Sequence, residues 1–238
     1  MLKRRQDIEE LLIEVGDLLV QIETVYKDAT ENEDIIHVAK PKVKSCLEHL
    51  RSCLDYIATD LSEMTGSPKT PRRVYFPYGK DKEEFSRNIA KNLPELIEKY
   101  VCIIEKYQPY QSGDQWLIHL CDSTNFNKHI ELQQQSRVNS DNSETKIGNL
   151  LHMSGQFGSI TIGKAYIDGE LKNPKGPLVV TPGKKVREII EETGLDIPIE
   201  RKYEWVKFAL KGTELDVREL LIHSHKQIGK IMKEIYGA

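Results

Sequence analysis

The sequence predicts a mainly α-helical bundle that carries a small appended or inserted β element. Three observations predict it. Apolar residues recur at three- and four-residue spacing through Ile8, Leu11, Leu12, Val15, Leu18, Leu19, Ile22 and Val25, the period of a helix with one buried face. A second stripe of the same period runs through Val43, Cys46, Leu47, Leu50, Leu54, Ile57, Ala58 and Leu61. Beyond about residue 155 the period shortens to alternation, in "FGSITIGKAYIDGELKN" and "IERKYEWVKFAL", with Asp168 and Gly169 as a hairpin turn signal.

Taken in order, the first stripe is one long helix over about residues 2–28. The second helix begins near Pro41, a favoured first-turn residue, and stops before Gly66 and Pro68. These two are expected to pack antiparallel as a hairpin. "TGSPKTPRRVYFPYGK" then crosses the bundle end as an extended loop, because its prolines and glycines disfavour both regular periods. A short helix around Phe85 to Ile89 leads to a third long one from near Pro94, with Leu96, Ile97, Tyr100, Val101 and Ile104 buried, ended by Pro109. A short helix holds Trp116, Leu117 and Leu120, and Ser123 or Thr124 caps a helix carrying Asn125 to Leu132. The stretch 133–146 is polar and aperiodic and is read as a mobile loop. "GKKVREIIEETG" reads as a short helix closed by Gly194, and the amphipathic stretch from Glu214 to Tyr236 returns to complete the bundle. The expected division is 1–150 for the helical core with its site, 151–212 for the β-rich element and 213–238 for the terminal helix.

A chain of 238 residues, 39% hydrophobic and 30% charged, buries a full core without a staple. Its net charge of −3 argues against general attraction to polyanions, so any nucleic acid has to be met by a local patch. The segment around Lys69, Arg72 and Arg73 is such a basic stretch. "MLKRRQDIEELLIEVG" opens with basic residues, but acidic ones interrupt every turn that follows. The expectation is therefore a cytoplasmic protein with no membrane span. Cys46, Cys53, Cys102 and Cys121 lie in apolar helical stretches and read as buried free thiols. Cys46, His49 and Cys53 share a helical face, but no fourth ligand is evident, so no metal site is assigned. Nothing resembles a GxSxG elbow, a P-loop, an HExxH helix or a dinucleotide fingerprint, and no cofactor is expected.

Two helical fragments put polar groups on otherwise apolar surfaces. Arg51 and Asp55 stand four apart in "LEHLRSCLDYIATDL"; Asn125 and His129 stand four apart, with Lys128 between, in "LCDSTNFNKHIEL". Together they form a candidate cationic pocket with one titrating member, His129. Lys128 can stabilise a developing phosphorane, and Asn125 can orient the imidazole or a ribose hydroxyl. That is the minimum equipment for metal-free RNA cleavage through the 2′-hydroxyl. The same residues can equally close a buried hydrogen-bond network, and Arg51 with Asp55 can be a plain intrahelical ion pair.

The stations "LRSCLDYIA", "FPY" (Phe76 to Tyr78), "QPY" (Gln108 to Tyr110), "QWLIHL" and "STNFNKHIEL" occur in an order and spacing that resemble a family of uncharacterised bacterial proteins. That family has an Asp before the Lys and an Arg after the His, where this chain has Asn127 and Ile130. Its helical pattern is similar to the HEPN superfamily, many of whose members are metal-independent ribonucleases while others only bind. The resemblance implies an RNA-directed or nucleotide-binding protein of bacterial defence or stress response, and in its most specific form a metal-independent endoribonuclease. It further implies a homodimer, with an unidentified activating partner. The alternative is a non-catalytic helical interaction module in which the polar residues are structural. The HEPN nuclease signature, Arg followed by His after four to six residues, is matched by Arg218 with His223, an alternative catalytic pair, and again by Arg218 with His225. In a chain with ten arginines and seven histidines, about one such match arises by chance.

Overall fold

A computed structural model describes residues 3–129, 134–181, 183–210 and 213–237, with the side chains of 126–129 outside the description. About half of the chain is helical, in eight helices joined to short strands among the described residues. The chain divides into two compact units. One comprises Met1–Glu23, Ala39–Gln134 and Leu210–Ala238, the other Thr24–Val38 and Gln135–Ala209.

The first unit is helical. Its α1 (Arg5–Glu31, the last turns belonging to the other unit) buries Ile8, Val15 and Ile22 completely, one residue every seven. It runs antiparallel to α2 (Lys40–Thr65): Arg4 donates to Asp60 at 2.7 Å near one end, and Lys42 donates to Gln21 at 2.6 Å near the other. Every residue of the predicted α2 stripe is buried. The helix carries Pro41 in its first turn and stops at Gly66, whose φ of 60° is left-handed and whose N–H is accepted by the Ser62 carbonyl. After the loop come α3 (Lys82–Asn92), α4 (Glu98–Glu105), α5 (Pro109–Ser112) and α6 (Trp116–His129). The third long helix expected from Pro94 is thus reduced to the eight residues of α4, because Glu95 takes a left-handed φ of 64° and interrupts the run. The last helix, α8 (Val217–Tyr236), is capped by Asp216, which accepts the Glu219 N–H, and packs on α2, α4 and α6.

The second unit holds the strands. β1 (Gln135–Asn139) pairs with β9 (Val206–Leu210), and β2 (Ser143–Ile147) is the centre of an antiparallel sheet between β3 (Leu151–Gly155) and β8 (Ile199–Tyr203). β4 (Ile160–Ile162) pairs with β7 (Leu178–Val180). β5 (Tyr166–Ile167) and β6 (Glu170–Leu171) form the predicted hairpin, with φ positive at both Asp168 and Gly169. The helix α7 (Val186–Thr193) is closed by Gly194 in the left-handed region. Ile147, Met153, Leu178, Val180, Ile189 and Leu195 make its core.

Three expectations are corrected here. The short helix expected at Trp116 to Leu120 and the helix expected to be capped by Ser123 or Thr124 are one continuous α6, with Ser123 and Thr124 buried in its interior. The stretch 133–146, read as a mobile loop, supplies β1 and β2 from Gln135 onward. In β2 the inward positions are Ser143, Thr145 and Ile147, so two of three buried side chains are hydroxyls and the hydrophobic alternation that announces a strand is missing. The unit boundaries move accordingly: the β-bearing unit starts at 135 rather than 151, ends at 209, and takes in residues 24–38 as well.

Candidate functional site

Arg51 and Asp55 lie one turn apart on α2, with guanidinium and carboxylate 3.3 Å apart. Neither is spent on the other alone. Asp55 also accepts the Phe76 N–H at 2.9 Å, and Arg51 reaches the thiol of Cys121 on α6 while its guanidinium lies 5.5 Å from the Tyr78 ring centroid. The "FPY" segment is thereby held against α2. It is held from the other side by Gln108, which is fully buried: its Oε1 accepts the Gly79 N–H at 3.0 Å and its Nε2 donates to the Ile104 carbonyl at 3.1 Å. Asn88 donates to the Tyr78 carbonyl at 2.6 Å, and Asn92 accepts the Tyr75 N–H at 3.2 Å. Three stations far apart in sequence, "LRSCLDYIA", "FPY" and "QPY", therefore meet in one structure. Sequence reading did not foresee Gln108, Asn88, Asn92 or Cys121 in it. The only available sign was that Gln108 is a polar residue directly after the apolar stripe of α4.

The electrostatics of this cluster are set by burial. Desolvation pushes the Cys121 thiol up to about 11, against the pull of Arg51, and pushes the Tyr78 phenol up to about 12. Both stay protonated near neutral pH, so Cys121 is not a nucleophile there. Burial works against the charge on Arg51, but Cys121 and Asp55 outweigh it and the group is held above its ordinary value. The cluster is a cation and a carboxylate locked among neutral partners.

Asn125 follows Cys121 by one turn of α6 and is exposed. The side chains of Lys128 and His129 lie outside the described residues, although the backbone of α6 is helical to His129. Arg218 and His223 are both on α8 but are turned apart: five residues correspond to about 140° around a helix axis. Arg218 pairs with Glu23 at 3.2 Å, whereas His223 Nε2 meets the Asp114 carboxylate, with Trp116 edge-on at 6.4 Å. His225 donates to the Leu12 carbonyl at 2.9 Å. The Cys46 and Cys53 thiols are fully buried, each pushed up to about 12 by desolvation, and no group of metal-binding side chains gathers among the described residues. Cys102, expected to be buried, is exposed on α4.

What the anchored loop presents outward is basic and aromatic. Arg72, Arg73 and Tyr75 are exposed, between Ser67, which turns the chain by accepting the Lys69 N–H at 3.2 Å, and the buried Phe76. Lys69 is paired with Glu95 at 3.0 Å. Among the described residues no helix is long and apolar enough to cross a membrane. Comparison with known proteins finds no matching family model, no matching curated protein and no matching solved structure.

Proposed function

We propose that the chain is an RNA-directed or nucleotide-binding protein of HEPN-like type, acting in bacterial defence or stress response as a metal-independent endoribonuclease. The observation that supports this reading is the extended loop that Asp55, Asn92 and Gln108 pin to the helical unit, with Arg72, Arg73 and Tyr75 on its outer side. Exposed guanidinium groups meet phosphates, and an exposed ring stacks on an unpaired base. A loop fixed in advance loses little conformational freedom on binding. In this reading Asn125, Lys128 and His129, one and two turns beyond Cys121 on α6, supply the chemistry: His129 takes the 2′-hydroxyl proton and Lys128 meets the phosphorane charge. Arg51 and Asp55 belong in this reading to the same catalytic pocket, reached through the contact of Arg51 with Cys121, one turn before Asn125.

The test is cleavage of single-stranded RNA in the presence of a chelator. Fragments with 2′,3′-cyclic phosphate ends are expected. His129→Ala is expected to abolish them while leaving the thermal midpoint nearly unchanged. Loss of activity in Arg218→Ala or His223→Ala, with His129→Ala still active, would move the site to α8.

A second reading, a non-catalytic interaction module, is favoured by a specific observation: Arg51, Asp55, Arg218 and His223 are all engaged by neighbouring side chains or backbone. Protein that neither binds nor cleaves RNA, and binds no nucleotide, supports that reading instead.

A further inference from the structure

The sheet of β3, β2 and β8 ends at β8, whose far edge pairs with no strand among the described residues. At the two ends of the antiparallel β2–β8 ladder the Gly148 N–H donates to the Pro198 carbonyl and the Glu204 N–H to the Asn142 carbonyl, each at 3.1 Å. Bonded and non-bonded pairs alternate along such a ladder. Glu200 and Lys202 therefore direct their main-chain groups to β2, and Ile199, Arg201 and Tyr203 direct theirs outward. No backbone hydrogen bond reaches these outward N–H and C=O groups among the described residues. A row of open main-chain donors and acceptors is a template for one more strand.

A groove of about 780 Å³ follows this edge, lined wholly by residues of the second unit. Four consecutive residues of β8, Ile199 to Lys202, line it. Neighbouring side chains of a strand point to opposite faces, so only a groove along the edge meets all four. Its two sides differ in character. On the side where Ile189 of α7 packs with Ile147, the wall is apolar, made by Val186 and by Ile190, which is 37% exposed. On the other face stands Glu200, exposed. The whole lining carries six carboxylates against four cations. Each cation is already paired at 3.3 Å or less, which leaves Asp34 and Glu200 without an ion pair among the described residues. What enters is favoured by positive charge. The edge lies between α7 and the segment 31–34, which admits one extended chain and holds apart the equally flanked, equally acidic edges of two copies.

From these observations we infer that the outer edge of β8 is a docking site for an extended segment of a partner protein, in which basic and apolar residues alternate, and which adds to the sheet as an antiparallel strand. Main-chain hydrogen bonds to Ile199 and Arg201 hold the segment, and the two sides of the groove select its side chains. Residues opposite Ile199 and Arg201 turn to the α7 side and are apolar, lying on Val186 and Ile190. The residue opposite Glu200 turns to the other face and is a lysine or arginine. This inference is independent of the RNA reading and concerns a different unit.

The experiment is calorimetric titration of the full chain with an octapeptide of alternating lysine and valine, blocked at both ends, together with amide hydrogen exchange. The peptide is expected to bind. In the antiparallel arrangement its valine N–H groups point at β8 and its lysine N–H groups point away, so methylating the valine nitrogens is expected to weaken binding about tenfold or more. Methylating the lysine nitrogens is expected to leave it nearly unchanged. Glutamate in place of the lysines is expected to cost about tenfold, as is Glu200→Lys in the protein with its circular dichroism unchanged. At saturation the Ile199 and Arg201 amides should exchange more slowly, while those of Glu200 and Lys202, already bonded to β2, keep their rates. If Glu200→Lys fails to fold, the methylated peptides carry the test on the parent protein. No binding at millimolar concentration, a valine-methylated or glutamate peptide that binds like the parent peptide, a folded Glu200→Lys variant that binds like the parent protein, or unchanged exchange at Ile199 and Arg201 would each overturn the inference. So would protection of those amides in the free protein together with a doubled mass, which would assign the edge to a second copy.

Discussion

Asp60 is the residue on which three helix ends converge. It is 1% exposed, and it accepts the Arg4 N–H at 2.8 Å, the Arg4 guanidinium at 2.7 Å and the Tyr236 hydroxyl at 2.7 Å, from the start of α1 and the end of α8. Burial alone would raise its pKa, but the hydrogen bonds from Arg4 and Tyr236 outweigh it and hold the carboxyl below the ordinary carboxylate value. A group whose folded pKa is depressed contributes stability that is fully present above its unfolded pKa, about 3.9, and is lost as pH falls through the folded value. Asp60→Asn is therefore expected to cost about 1 to 3 kcal/mol at neutral pH. It should also flatten the loss of stability below about pH 4. Urea denaturation at a series of pH values checks both; a variant with the parent's stability at pH 7 would show that the carboxylate is not needed.

At the scale of elements, the loop between α2 and α3 is held by a glycine and a glutamine. A Cβ built on Gly79 would lie 2.4 Å from the Phe85 backbone nitrogen, at the start of α3, so the two backbones can approach only because residue 79 has no side chain. Gly79→Ala is expected to destabilise the protein by more than the roughly 1 kcal/mol typical of single substitutions, measured as a lower thermal midpoint. Gln108→Ala removes the acceptor of the buried Gly79 N–H. It is expected to cost about 1 to 3 kcal/mol. The sharper readout is hydrogen exchange: the Gly79 amide should exchange faster, while amides in the middle of α2 keep their protection. Unchanged exchange at Gly79 would mean that the Gln108 contact does not hold the loop.

For the whole molecule, the two units carry separate cores. Ile189 is fully buried in that of the second unit and Leu54 in that of the first. Leu54→Ala and Ile189→Ala should each cost about 2 to 5 kcal/mol. Native-state hydrogen exchange should lose protection chiefly within the unit that carries the substitution. Loss spread evenly over the chain would mean one cooperative body. Assembly is tested at the same scale. The proposed homodimer has a candidate surface on α1, where Ile13 and Val20 are 66% and 69% exposed at a spacing of seven. Light scattering should give twice the chain mass, and Ile13→Glu with Val20→Glu should return it to the monomer; a parent protein that is monomeric would dismiss the dimer.

The helices were legible in the sequence because their information is local. A stripe such as Val43 to Leu61 states both the helix and the face it buries, Pro41 and Gly66 mark its ends, and Asp168 with Gly169 states a hairpin. Polar residues carry no such signal, since a buried side chain is recognised by its partner and not by its period. That is why β2, which turns Ser143 and Thr145 inward, reads as a loop; α4 is shorter than its stripe for a different reason, the left-handed φ of Glu95. The spacing of Arg51 and Asp55 announced a polar pair on one face, but their attachment to Phe76, Tyr78 and Cys121 required residues more than twenty positions away. Likewise nothing local joins Glu33 to Arg201 and Tyr203. The sequence by itself determined the helical period of α1, α2 and α8 and the turn chemistry. Only the tertiary structure decided which polar groups are consumed as anchors, such as Asp55 and Gln108, and which, such as Arg72 and Arg73, are turned outward, because hydrogen bonding is settled between distant residues once the backbone has brought them together.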